Sequence, residues 1–325
     1  MTSLNAPEAA ARLRPAAAGT PAISFIDVSK RFPTAEGRML DVLRGVSFDL
    51  PSGEIVAIVG PSGAGKSTLL NLAAGLILPD HGEVRILGRD TAGAVDWGRV
   101  GYMFQDDRLL PWRVALANVT LALEAGAMPA AERRRRARDA LALVGLADFA
   151  KAYPHQLSGG MRSRVALANV TLALEAGAMP AAERRRRAHD ALALVGLAEF
   201  AKAYPHQLSG GMRSRVALAR SMVGEPDLLL MDEPFSRLDA QTRATMHREL
   251  LRIHEMRRLS ILFVTHDAEE AVVLADRIVV MSARPGQVRA TLDVTLSHPR
   301  PGTEGAAALV ARLRAMLEET EETTR

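Results

Sequence analysis

At residues 60–68 the chain reads GPSGAGKST, directly after the apolar run IVAIV at 55–59. That order leaves few folds open. The pattern G-x-x-x-x-G-K-[ST] between an apolar run and a helical segment asks for a buried strand, a tight glycine loop and a helix whose N-terminus points back into the loop. Gly60, Gly63 and Gly65 let successive backbone N–H groups curl inward with no Cβ in the way. The helix start near Lys66 adds the positive end of its dipole. Gly60, Pro61, Ser62, Gly63, Ala64, Gly65, Lys66, Ser67 and Thr68 are therefore a candidate cradle for phosphate groups. Lys66 is placed to bridge the outer phosphates of a nucleoside triphosphate, and Ser67 to ligate Mg²⁺. The bland alternative is a glycine-rich strand-to-helix turn with no ligand.

A second element answers the first. LLLMDEP at 228–234 is an apolar strand ending in two carboxylates. Asp232 is placed to hold Mg²⁺ through water, and Glu233 to orient an attacking water and take its proton. Alone, such a pair reads as a solvated strand end; beside the glycine loop it reads as chemistry. Further short apolar runs lie at 261–265 and 278–281, while Val46, Phe48 and Leu50 alternate with polar residues. Continuous runs suit strands covered on both faces, and the alternating one a half-buried strand. Helical character at 66–76, 241–257 and 267–275 completes an α/β pattern with a parallel sheet.

An internal repeat alters the spacing between these parts. Residues 113–163 recur at 164–214 with two changes, Arg138 to His189 and Asp148 to Glu199, so 49 of 51 positions match. Two copies are too few for a stacked solenoid. Near-identity, with RVALA at both junctions, marks a recent tandem duplication or an assembly artefact. Setting one copy aside leaves 274 residues. The whole segment 113–214 lacks strand signals and looks helical, broken at Gly126, Pro129, Gly145 and Pro154. Four successive arginines in each copy, 133–136 and 184–187, read as a solvated helix face with snorkelling side chains. Aromatic residues are only 4% of the chain, which argues against stacking of nucleic-acid bases.

Composition sets the outer limits. The chain has 325 residues, 48% hydrophobic and 24% charged, as globular domains do. There is no cysteine, hence no disulfide frame, thiolate metal site or cysteine nucleophile. No apolar run reaches 18 residues, so no membrane span is expected. The net charge of +4 suits phosphate ligands or an anionic bilayer but decides little. Residues 1–20 are expected to be a flexible tail, 21–300 the catalytic domain, and 301–325 a C-terminal helix and tail.

With these motifs in order, the chain resembles the ATP-binding subunits of ABC transporters over about 23–300. LSGG follows the helical segment and precedes LLLMDEP; SRLD at 236–239 resembles the D-loop; His266 after ILFVT resembles the switch histidine; Gln105 in YMFQDD resembles the Q-loop glutamine. Phe32 in SKRFP sits where the family stacks an aromatic ring on adenine. The resemblance implies an ABC cassette of the P-loop NTPase class: a parallel or mixed sheet, an antiparallel β subdomain, and a helical subdomain, here enlarged by the duplication. It implies ATP and Mg²⁺ as ligands, with Ser67, Gln105 and Asp232 about the metal and Glu233, His266 and Gln105 catalytic. It also implies a head-to-tail dimer or paired ATPase subunit, in which the signature serine and Asp239 meet the partner's nucleotide. QDDRLLPWR and ADRIVVMSARPGQV resemble importers of nitrate, sulfonate, taurine and related solutes. That implies an integral-membrane permease, a solute-binding protein, a peripheral place on the cytoplasmic face of the inner membrane, and no nucleic acid. The other readings are a non-transport ABC ATPase and a binding or regulatory subunit disabled by the duplication.

The duplication supplies two signatures, Ser158-Gly159-Gly160 and Ser209-Gly210-Gly211. The second is expected to be the working one, because its helix leads through Gly224 and Pro226 into LLLMDEP. The surplus is expected to leave the fold at a loop, 126–129 matching 177–180, since a helix interior is a poor place for an excursion. Two departures stand out: the signature reads LSGGM, and Arg237 occupies a D-loop position where a small residue is usual.

Overall fold

The computed structural model describes residues 19–34, 37–93, 95–103, 114–117, 129–143, 145–157, 161, 181–200, 210–222, 224–236 and 238–322. Residues 1–18 of the expected tail, Gln105, the first signature serine and glycines, Ser209 and Arg237 lie outside these residues.

Two sheets organise the molecule. The first is antiparallel: β1 (Ile23–Pro33), β2 (Met39–Leu50), β4 (His81–Ile86) and β5 (Arg89–Asp90), in the order β2-β1-β4-β5. The second has six strands in the order β10-β9-β3-β8-β7-β6. Its members are β3 (Ile55–Val59), β6 (Val100–Met103), β7 (Leu228–Asp232), β8 (Ser260–Val264), β9 (Arg277–Met281) and β10 (Val288–Asp293). All its pairings are parallel except β10 on β9. The four continuous apolar runs of the sequence are β3, β7, β8 and β9, the central strands of this sheet.

Alternation explains why those runs are apolar throughout. On β3, Ile55, Ala57 and Val59 face one core, while Val56 and Ile58 face another. The first core is lined by α4 (Gly210–Met222), α5 (Ala240–Arg257), α6 (Ala268–Leu274) and α7 (Glu304–Glu322). The second is lined by α1 (Lys66–Ala73) and the inner face of the antiparallel sheet, including Phe25, Val46 and Val84. A strand covered on both faces has no solvent side to carry polar residues. The antiparallel sheet has one, so β2 alternates along Val46–Leu50.

The two copies are built alike but placed differently. The first contains α2 (Ala130–Leu143) and the second α3 (Ala181–Leu194). In the second copy Ala191, Val195 and Leu197 join Leu218, Ala219 and Met222 of α4 in the main core. The first-copy positions Ala140 and Leu146, equivalent to Ala191 and Leu197, close instead with Leu141 on Ala115, Ala137 and Leu157, a small core of their own. Two backbone bonds seal that unit: Ala115 N donates to Ala152 O at 2.7 Å and Leu116 N to Ala150 O at 2.9 Å.

This bears on where the surplus leaves the fold. A crossing at 126–129 would pair Ala115 and Leu116 with the second copy; they pair with the first. Closing the loop within one copy is shorter by one repeat, which favours it by about 1 kcal/mol of chain entropy. The crossing loop itself, 126–128 and 177–180, lies outside the described residues. No strand occurs between 113 and 214 among the described residues. The arginine run of α2 is held along its own helix: Arg135 pairs with Glu132 and Asp139, and Arg136 with Glu132.

The C-terminal segment is anchored by Arg300, which is buried. Its guanidinium donates to the carbonyls of Val272 and Ala275, at 3.1 and 2.6 Å, and to Leu296 O at 2.9 Å. Two of those carbonyls lie at the end of α6, where a helix has no internal donors left.

Candidate nucleotide site

The site forms where β3 ends, and its loop geometry follows from close packing. A Cβ on Gly65 would lie 2.6 Å from Leu43 Cδ2 and 3.1 Å from Val42 O, and its φ of +82° is left-handed. Only glycine meets both conditions. Gly65 is also the N-cap of α1 and supplies no side-chain hydrogen bond. The first N–H groups of α1 therefore have no side-chain acceptor at the cap and are available to an anion.

Lys66 begins α1 and folds back over the loop. Its Nζ donates to Gly60 O at 2.8 Å and Pro61 O at 2.9 Å. Burial pushes its pKa below the ordinary lysine value, while the charges of Glu233 and Asp232 act in the opposite sense. Ser67 Oγ donates to Asp232 Oδ1 at 3.0 Å. Asp232 is the last residue of β7 and is buried. Parallel pairing with β8 carries β7 to the same edge as the glycine loop.

Glu233 turns out of the strand with φ +45°, in the left-handed region. A non-glycine residue adopts this only where surroundings impose it. Here Glu233 N donates to Val264 O at 3.0 Å, and Ser236 Oγ donates to Glu233 O at 3.0 Å. The carboxylate is thereby aimed at His266, whose Nδ1 lies 3.5 Å from Glu233 Oε1. The His266 loop is pinned on both sides: Thr265 N donates to Ile58 O, and Asp267 N to Thr265 Oγ1.

The remaining expected residues divide. Gly210 and Gly211 open α4, so the second signature is a helix N-terminus leading into β7. Asp239 caps α5, accepting from Thr242 N at 3.0 Å and Thr242 Oγ1 at 2.7 Å. The Thr242 backbone bond leads in holding its carboxyl below the ordinary aspartate range. Phe32 stands partly exposed on β1 opposite Leu40 of β2, and Lys30 Nζ lies 5.6 Å from its ring centroid. Two residues beside Glu233 and His266 escape a sequence reading, Asp267 and Arg243. The first carries a legible signal, an aspartate just before a helical run with acidic residues in its first turn; the second carries none.

The donor set fits magnesium. Ser67 Oγ and Asp232 Oδ1 are hard oxygen donors beside the phosphate cradle, and Mg²⁺ in such sites takes one or two protein oxygens with phosphate and water. Among the described residues no group of three or more His, Cys, Asp and Glu is arranged for a metal. No helix among them is long and apolar enough to cross a membrane.

The chain is similar to known proteins over most of its length. The family model described as ABC transporter matches residues 43–176 and 171–236, two segments that overlap inside the second copy. An aliphatic sulfonates import ATP-binding protein of Xanthomonas axonopodis pv. citri is 38% identical over 86% of this chain and 88% of its own. A taurine import ATP-binding protein of Rhizobium johnstonii is 35% identical over 90% of this chain and 94% of its own. Among solved structures, a bacterial ABC transporter cassette in dimeric form matches with a TM-score of 0.50 and 28% identity, covering 85% of this chain and all of that one. With the glycine loop, Asp232, Glu233 and His266 assembled at one sheet edge, the chain belongs to the ABC transporter family as one of its ATP-binding subunits.

Proposed function

We propose that this chain is the ATP-hydrolysing subunit of an importer for a small sulfonate-class solute such as an aliphatic sulfonate or taurine, nitrate being the neighbouring choice. The observation that carries the ATPase reading is the approach of Ser67 to Asp232 and of Glu233 to His266 beside an uncapped helix N-terminus. The solute class is supported by the relatives' names and by the ADRIVVMSARPGQV segment. A separate integral-membrane permease and a solute-binding protein complete the importer. The chain sits peripherally at the cytoplasmic face of the membrane and works as a dimer or with a paired ATPase subunit, a reading supported by the dimeric cassette.

In this reading residues 60–68 wrap the phosphates and Phe32 stacks on the base. Lys66 exchanges the carbonyls of Gly60 and Pro61 for phosphate oxygens. Ser67 and Asp232, with Gln105, hold Mg²⁺, which when bound neutralises charge on the outer phosphates. Glu233 aligns a water for in-line attack and takes its proton. His266 stabilises the charge of the transferring group, as do Ser209, Gly210 and Gly211 of the partner copy. Asp239 closes the dimer face. Gln105 also reports the nucleotide state to the permease.

Mg-ATPase of the full chain beside Glu233→Gln tests the hydrolytic reading. The variant should bind ATP and lose about 10²-fold or more in turnover. Wild-type-like turnover in the variant would refute the role of Glu233. Growth on taurine or an alkanesulfonate as sulfur source, in cells lacking and regaining this chain, tests the solute class.

A further inference from the structure

Arg243 stands one turn into α5, and its side-chain bonds go to no expected nucleotide contact, yet they join the two loops that carry Glu233 and His266. One terminal nitrogen lies 3.1 Å from Asp267 Oδ2, and the other donates to Leu238 O at 3.0 Å. Its Nε is buried and has no acceptor among the described residues. Asp267 directly follows His266 and spends its other oxygen on the N-terminus of α6, accepting from Glu269 N at 2.9 Å and Glu270 N at 3.4 Å. On the opposite side Ser236 Oγ donates to Glu233 O, and Leu238 N donates to Phe235 O.

These bonds close a ring. It runs from Glu233 by way of Ser236 and Phe235 to Leu238, across the guanidinium to Asp267, and back through His266 to Glu233 at 3.5 Å. One turn further on, His247 of α5 and Glu270 of α6 form a second rung at 3.3 Å, both buried, with the His247 ring edge-on to Phe235 at 4.9 Å. A planar guanidinium holds two acceptors at a fixed angle, which a lysine ammonium does not. A backbone bond from Glu233 N to Val264 O, at the end of the strand that leads to His266, runs beside this ring.

We infer that Arg243 is a positioning residue for hydrolysis. It sets the distance between Glu233 and His266 through Leu238 and Asp267, and it contributes little to nucleotide binding. This rests on the reading that Glu233 and His266 act on ATP. Displacement of a reacting group by about 1 Å can cost on the order of 10²-fold in rate.

The test compares Arg243→Gln, Arg243→Lys and Asp267→Asn in the full chain. Asparagine still caps α6 but gives up the ion pair. Steady-state kcat and the Kd of a fluorescent ATP analogue are measured alongside the melting temperature. Arg243→Gln should lose about ten- to hundredfold in kcat with the Kd within about twofold. Asp267→Asn should behave alike, Arg243→Lys should recover part of the loss, and the double variant Arg243→Gln/Asp267→Asn should be no slower than the worse single. Unchanged turnover in both singles, a rise in Kd that matches the fall in kcat, or additive losses in the double variant would overturn the inference. If Arg243→Gln does not fold, Arg243→Lys and Asp267→Asn carry the same comparison. An inactive wild-type chain overturns the underlying hydrolytic reading and this inference with it; an active wild type with an indifferent Arg243 overturns the inference alone.

Discussion

Ser67 and Asp232 are 165 residues apart in sequence and 3.0 Å apart in space. The bond joins the helix that leaves the glycine loop to the last residue of a strand beyond both copies of the repeat. It places two oxygen donors where a divalent cation would meet the phosphates, so each should matter more to metal-dependent steps than to folding. Ser67→Ala should leave the melting temperature nearly unchanged and raise the Mg²⁺ concentration needed for half-maximal ATPase by about tenfold or more. An unchanged Mg²⁺ requirement would remove Ser67 from the metal's neighbourhood.

Lys66 gives the site a pH dependence with a definite sign. Burial lowers its pKa, and phosphate binding needs the charged form. ATP affinity should therefore be greatest below that lowered value and decline as pH rises through it. Lys66→Gln should bind about 10²-fold more weakly and lose the decline. Titration of a fluorescent ATP analogue from pH 7 to 10 reads both effects. A wild-type affinity that rises over this range would contradict the assignment.

The first copy's separate core makes the duplication removable. Ala140, Leu141 and Leu146 pack among their own copy, while Ala191, Val195 and Leu197 belong to the main core. Deletion of 113–163 should leave a chain that melts within a few degrees of the full one and hydrolyses ATP comparably. Ser209→Arg should abolish stimulated ATPase, and Ser158→Arg should not. Equal losses from the two substitutions would mean that neither copy is privileged.

Arg300 is the strongest candidate for a stability determinant outside the site. Its guanidinium is buried and serves the carbonyls of Val272, Ala275 and Leu296 at once. Arg300→Ala would strand those acceptors and should cost about 2–4 kcal/mol in urea unfolding. Arg300→Lys should recover less than half, because an ammonium cannot span the same fork. A loss below about 0.5 kcal/mol would show that water replaces the guanidinium at that helix end.

Much of the fold was legible because its periodicities are strong. The runs at 55–59, 228–231, 261–265 and 278–281 are the central strands, and the helices near 66, 241 and 267 begin within a residue or two of their expected starts. Strand β4 and the edge strands β5, β6 and β10 carry weak patterns, since half-exposed or two-residue strands need little apolar character to hold their place. The second signature helix was legible from chain continuity alone, as α4 leads straight into β7. The path of the surplus was not, because two nearly identical segments present identical patterns and differ only in what they touch.

The sequence by itself determined a glycine loop between strand and helix as the expected place of a phosphate, with Lys66, Ser67, Asp232 and Glu233 as its expected neighbours. Those conclusions rest on local requirements: glycine where Cβ cannot fit, apolar residues where a strand is covered on both faces, carboxylates where that strand ends. Only the tertiary structure decided that Arg243 binds the Leu238 and Asp267 loops together, and that one copy of the repeat enters the core while its twin folds upon itself. The first depends on the packing of α5 against α6, the second on which copy meets α4. The same residue types would satisfy the local rules whether or not those elements met.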